Sequence, residues 1–410
     1  MVKAGALYFS ILIAFFIAVI SASLIMLAAH YRNAYLKSVR FERLLINLDS
    51  GLQVALAEKN DSVAEKKIDL YGLGTDSISV QKTTWGLYSV AILKSFILQD
   101  TLKRAFIVGK ACQMDSLAIY LSDEDRPVSV SGETQIIGNV KVPKSGIRKA
   151  YVDGNPYRRE EAVYGRIGES DRSLTKPNES TISQLNRNLD LDPKKMAQLS
   201  QKDQENSFFL PTRRYVLPRE QVIDFKIHGN TIIYSDTLVH ISARADLRDV
   251  MVFAPAISVE AGFKGSCQLF ARDSIAVGKG AVFQYPSVLG VLGKKKLAGR
   301  PKIILGEQTE LNGLLFAYDE TKSALPLMIE LGKNTRIKGE VYCPGMVKLE
   351  KGVHIDGKVS CDRFVMQTPS TLYENFLIDV FINRKARNRY YLSSGVFQSK
   401  EPNGILKWLN

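Results

Sequence analysis

The sequence predicts a mainly β protein, a single-coil-repeat β-helix (solenoid) with an N-terminal transmembrane α-helix and a small mixed α/β connecting domain. Three observations predict it. Residues Ala4 to Ala29 carry no charged side chain. One pattern of apolar residues and glycines returns 18 residues on with every position matched. Between these two features, short apolar runs alternate with polar clusters. The expected organisation is an anchor and its amphipathic extension over 1–60 and a connecting domain over 61–127. A β-helix follows over 128–368, with a polar insertion at 143–223, and then a cap and basic tail over 369–410.

The uncharged run holds 26 residues, about 39 Å as a helix. A hydrocarbon core of about 30 Å needs about 20, so Ala4, Leu12, Phe16, Ile20 and Leu27 are expected in lipid. A cleaved signal peptide is the alternative, but its apolar part is shorter than this run. Beyond the span, Leu44, Leu45, Leu48, Leu52, Ala55 and Leu56 recur at three- and four-residue spacing, which predicts that the helix continues as an amphipathic one. Its end is expected before Lys59-Asn60-Asp61.

Lys3-Ala4-Gly5 followed by Ala6-Leu7-Tyr8 and a long apolar helix resembles the N-terminus of type IV pilin-like proteins. The resemblance covers roughly the first 60 residues and implies cleavage after Gly5. The sequence departs from it at Ser10, where most pilins carry Glu. Arg32, Lys37, Arg40 and Arg43 follow the span, and the rule that flanking Lys and Arg stay in the cytoplasm would place the body there. The pilin-like reading places it outside, and an extracytoplasmic body is the expectation.

In the connecting segment, Ser77–Lys82, Leu87–Leu98, Ala105–Val108 and Leu117–Leu121 read as short strands. Gly72-Leu73-Gly74 lacks the third glycine and preceding strand of a nucleotide loop and reads as a turn.

The repeat is most regular near the C-terminus. Ile329, Leu331, Ile337, Gly339, Val341 and Cys343 are matched 18 residues on by Val347, Leu349, Ile355, Gly357, Val359 and Cys361. An earlier copy holds Ile303, Leu305, Leu311, Gly313, Leu315 and Ala317, and an outlying one holds Val128, Val130, Ile136, Gly138, Val140 and Val142. The copy starting at Ile275 loses register at Tyr285-Pro286. Alternate apolar residues place one strand face inward, and stacked copies bury a column that no single copy can bury. An antiparallel sandwich also alternates but gives no constant offset. Cys343 and Cys361 share a position, where they are expected as small buried side chains rather than a disulfide.

The Ile-x-Leu-Gly and Ile-x-Gly-x-Val elements resemble bactofilins, bacterial cytoskeletal proteins whose β-helices polymerise without nucleotide. The resemblance covers roughly 225–365 and the outlying copy. Insertions between copies and flanking sequence at both ends depart from it and leave polymerisation open.

The insertion at 143–223 is expected to be a flap or an irregular loop, with a short helix near Thr181–Leu189. Tyr373–Ile382 is expected to cover the last copy, since an open ladder end exposes unpaired strand groups. The chain carries a formal net charge of +13, which favours polyanions such as anionic glycan, DNA or lipid headgroups. The candidate contacts are Lys294, Lys295, Lys296, Arg300 and Lys302, and the tail residues Arg384, Lys385, Arg387 and Arg389. A solvated loop and an ordinary basic surface are the alternatives for the two groups.

No P-loop, GxSxG or HExxH is present, and the four cysteines match no zinc spacing. Asp246, Asp249, Glu260 and Asp273 share no position across the copies and are expected to be solvated side chains. No catalysis, cofactor, metal or small-molecule substrate is therefore expected. The expected role is a membrane-anchored, single-pass envelope structural or assembly protein. Its expected partners are the bilayer and other envelope or pilus-assembly proteins. A polyanion-binding module and a cytoplasm-facing scaffold are the alternatives.

Overall fold

The computed structural model describes residues 3–60, 63–72, 74, 76–113, 115–152, 154–192, 196–219, 221–294, 299–320, 325–367, 371–398 and 401–409. The protein is mainly β with a long apolar N-terminal helix. Its chain divides into two compact units.

The first unit comprises 1–58, 63–81 and 92–104. Its helix α1, Lys3–Ala57, has 55 residues, about 82 Å of helix. Side chains from Gly5 to Val39 are exposed, and burial begins only after them. Leu44, Asn47, Leu48, Gly51 and Ala55 form the buried stripe, at the three- and four-residue spacing the sequence predicts. Gly51 permits a close approach to strand Asp76–Trp85: a Cβ there would lie 1.9 Å from Ile78 Cδ1. The buried Asp76 carboxylate ties the helix to that strand. It accepts from Arg43 Nε at 2.9 Å and Asn47 Nδ2 at 2.8 Å. Ion pairs Arg40–Asp100 at 2.8 Å and Arg104–Asp49 at 3.0 Å add to the attachment.

Among the described residues, the segment from 63 to 121 contains strands and no helix, a correction to the mixed α/β expectation. Its β-branched and aromatic runs carry no helical period to compete with pairing. The Asp69 carboxylate accepts from the N–H groups of Tyr71, Gly72 and Gly74, so the glycines form a turn closed by an acid.

The second unit comprises 59–62, 82–91 and 105–410. Strands Leu392–Ser393 and Asn403–Leu409 pair antiparallel with Asp100–Ala111 through residues 105–111 of this unit. Its main feature is a 22-stranded sheet in which successive copies of the repeat pair parallel and in register. Ile337 lies opposite Ile355, Val341 opposite Val359 and Cys343 opposite Cys361. The loss of register expected at Tyr285-Pro286 is a shift between Phe283 and Ser287.

Three columns of inward side chains build one core. The first runs Phe283, Leu311, Ile337, Ile355, Ile382, Ile136, Val163. The second runs Leu289, Leu315, Val341, Val359, Ile119, Val140. The third runs Ile275, Ile303, Ile329, Val347, Phe364. Gly339 has φ +150, and a Cβ there would lie 1.8 Å from the Gly313 carbonyl oxygen. Only glycine lets neighbouring copies approach at that point.

The stacking order is not the chain order. After the copy ending at Gln367, the next layer joins two distant segments: Leu117–Leu121 before the repeat, and Phe376–Ile378 with Phe381–Asn383 after it. The outlying copy, 128–142, stacks on this composite layer. The segment expected as a cap thus supplies ladder strands, because Leu377, Val380 and Ile382 continue the inward columns.

The expected polar insertion contributes strands at both ends of the ladder. Ile147–Lys149, Val163–Tyr164 and Ile167–Glu169 follow the outlying copy. Gln204–Asn206, Arg213–Val216 and Val222–Ile223 precede the copy at 226–241. Between them lies α2, Glu179–Leu189, capped by Asn178 Oδ1, which accepts from Ser180 N. Arg272 donates to Asn186 O at 3.1 Å and pairs with Asp190 at 2.8 Å, satisfying the helix C-terminus where a cation is favoured.

Candidate functional site

Two features stand out, and each belongs to one unit. The first is the apolar surface of α1. Leu12, Phe16, Ile20 and Leu27 are between 37% and 58% exposed, and the rest of the run is exposed too; Ala4 lies in the helix, its side chain outside the described residues. No window of the run is covered by the protein, and the helix is long and apolar enough to cross a membrane. In water, exposed apolar surface of this extent is unfavourable by about 25 cal/mol per Å², so it marks a contact with a non-aqueous phase.

The second is a cleft in the ladder unit. The structure separates the sequence-derived basic residues into those that meet and those that do not. Lys294 Nζ pairs with Asp190 at 3.0 Å and so holds the end of α2. Lys295 and Lys296 lie outside the described residues. Arg300 Nη1 donates to Met328 Sδ at 3.4 Å. Lys302 opens strand Lys302–Leu305 and is half-buried between Ser274 and Met328.

Arg384, Lys385, Arg387 and Arg389, in contrast, all line one cleft of about 350 Å³, with Asp115 the acid among its walls. Arg384 and Arg387 are each 8% exposed, unlike the ordinary basic surface weighed as the alternative, whereas Lys385 and Arg389 are exposed. Arg387 Nη1 donates to Glu340 Oε1 at 2.8 Å, and its guanidinium lies 4.6 Å from the Tyr391 ring centre. Arg384 Nη2 donates to the Cys112 carbonyl at 3.0 Å. Asp115 pairs with Lys358 at 2.9 Å. Burial and then the neighbouring Arg387 hold the Arg384 pKa below its usual value. Burial raises the Cys112 thiol and the Tyr88 and Tyr391 phenols.

A larger cavity of about 780 Å³ shares Cys112 and Asp115 with the cleft and is lined by Glu340, Lys358, Tyr342 and Phe397. Sequence reasoning missed Glu340, Lys358, Asp115 and Cys112. One signal was present: Glu340 and Lys358 occupy the same position in successive copies with opposite charge and pair in register.

The acids weighed for catalysis each hold a partner, and Glu260 is also exposed, as expected of a solvated side chain. Asp246 contacts His228 and Arg248. Asp249 pairs with Lys407 at 2.6 Å. Glu260 accepts from Ser242 and from Ala243 N. Asp273 accepts from Ser274 Oγ at 3.4 Å. Cys267, Cys343 and Cys361 are buried free thiols, their pKa pushed up by burial. All three line the core, Cys343 and Cys361 at the shared position where the sequence predicts small buried side chains.

No family model matches the chain, and no curated protein matches it. Among solved structures it is similar to the competence-associated pilin ComZ from Thermus thermophilus. The identity is 9% over 85% of this chain and 87% of that one, with a TM-score of 0.26.

Proposed function

We propose that the chain is a non-catalytic, single-pass, membrane-anchored subunit of a cell envelope, with a pilin-like opening helix and an extracytoplasmic body wound as a single-coil β-helix. One observation carries this reading: α1 changes character along its length. Its first part is apolar and exposed on all sides, and its second part buries a single stripe against strands. A helix uniformly apolar at its surface is stable in lipid, whereas a striped one is stable at a water-facing protein core. The three columns of matched side chains support the β-helix, because each copy supplies one residue to each column. The bilayer and other envelope or pilus-assembly proteins are the partners this reading implies.

Fractionation of cells expressing the chain tests the anchor. The protein remains with membranes after alkaline carbonate washing, and its recovery in the soluble fraction contradicts the reading.

A second reading, a cytoplasm-facing bactofilin-like scaffold, is favoured by the parallel in-register ladder and by Arg32 and Lys37 just beyond the span. Protease added to spheroplasts separates the two. An extracytoplasmic body is digested, whereas a cytoplasmic one is protected.

A further inference from the structure

We propose that the cleft formed by Arg384, Lys385, Arg387 and Arg389 binds one oxyanion group, a phosphate or a carboxylate. The inference is independent of membrane anchoring and rests on the charge and hydrogen-bond geometry of the cleft.

Four cations line the cleft against one acid, Asp115, and that acid is already paired with Lys358. Glu340, the other nearby carboxylate, is paired with Arg387. Among the described residues Arg384 forms no ion pair; its Nη2 bond goes to a neutral carbonyl. Two buried guanidinium groups also keep donors without acceptors, Nε of Arg384 and Nη2 of Arg387. A buried N–H of a charged group left unbonded is destabilising. Burial and repulsion from Arg387 both disfavour the charged form of Arg384. An anion in the cleft would offset that repulsion.

Guanidinium is suited to this task, since its planar fork matches the oxygens of a carboxylate or phosphate. Exposed Lys385 and Arg389 stand at the same cleft and supply attraction from solvent. The volume, about 350 Å³, lies at the small end of ligand sites, which run from roughly 300 Å³. It suits one charged group rather than a polymer track. The other basic residues do not extend it, because Lys294 and Lys302 do not line the cleft.

Calorimetric titration of the full chain in detergent micelles tests the proposal, with inorganic phosphate in one arm and glucuronate in the other. The expected result is saturable binding of at least one probe, one per chain, weakening as sodium chloride rises. The double variant Lys385→Gln/Arg389→Gln alters only exposed side chains, so its fold is retained, and binding should fall at least tenfold. Arg384→Gln should abolish it. Lys294→Gln should leave it unchanged. No saturable binding of either probe up to roughly 10 mM, where even a Kd near 1 mM is visible, overturns the proposal. So does full binding in the folded double variant. Binding of phosphate alone assigns a phosphate ligand, and binding of glucuronate alone a carboxylate.

Discussion

Gly339 is a residue at which neighbouring copies of the repeat are in direct backbone contact. Its φ of +150 and the 1.8 Å separation of a hypothetical Cβ from the Gly313 oxygen leave no room for any side chain. Gly339→Ala should lower stability by about 3 kcal/mol or more, combining backbone strain with displacement of a neighbouring strand. Gly146→Ala is the comparison: φ is +74 but nothing lies within 4 Å, so roughly 1 kcal/mol is expected. Thermal unfolding of both variants measures the difference. A second prediction concerns Asp115. Burial raises its pKa, but the Lys358 ammonium and the Leu117 N–H outweigh burial, and the net shift is downward. A carboxylate with a depressed folded pKa contributes stability above its unfolded value, near 3.8, and loses it as pH falls through the folded one. Melting temperature should therefore hold from neutral pH to about 5 and fall below about 4. Asp115→Asn should start lower and fall less steeply. At this scale the glycines and inward apolar residues were legible, because their spacing repeats. The ion pairs were not: Asp115 meets Lys358, and Glu340 meets Arg387, across long separations that no local pattern encodes.

The long helix divides into a part made for lipid and a part made for protein. Leu48 is fully buried in the second part, and Leu48→Ala should cost about 2–5 kcal/mol in the first unit. Asp76→Ala removes the acceptor of Arg43 and Asn47; a loss of about 1.5–3 kcal/mol is expected. Neither change should move the protein out of the membrane, whereas deleting residues 1–29 should. Fractionation beside thermal unfolding distinguishes these outcomes. The helix was legible almost to its last residue, since an uncharged run followed by a three-four spacing has few other solutions. Helix α2 was legible for a similar reason: Ile182 and Leu185 share a face behind the Asn178 cap. The strands inside 143–223 were not. Those at the ladder ends expose one side, as at Ile167–Glu169, where all three residues are exposed. Without burial on both sides the apolar alternation disappears, and the segment reads as a loop.

The whole molecule departs most from its sequence order. Copies near the C-terminus are matched so closely that their stacking follows from spacing alone. The outlying copy at 128–142 gives no hint of its neighbours, because a repeat pattern identifies equivalent positions but not which copies adjoin. The composite layer, made from residues 117–121 and 376–383, decides this, and its strands are too short to carry the full pattern. Interspin distance between nitroxides at Ser360→Cys and Lys141→Cys, in a Cys112→Ser background, tests the stacking directly. Both residues pair with Tyr120 from opposite sides, and the remaining native thiols are buried. Two strand spacings separate them, about 10 Å, and a strong dipolar coupling at that distance is the predicted result. A separation beyond five spacings, roughly 25 Å, would contradict the continuous ladder.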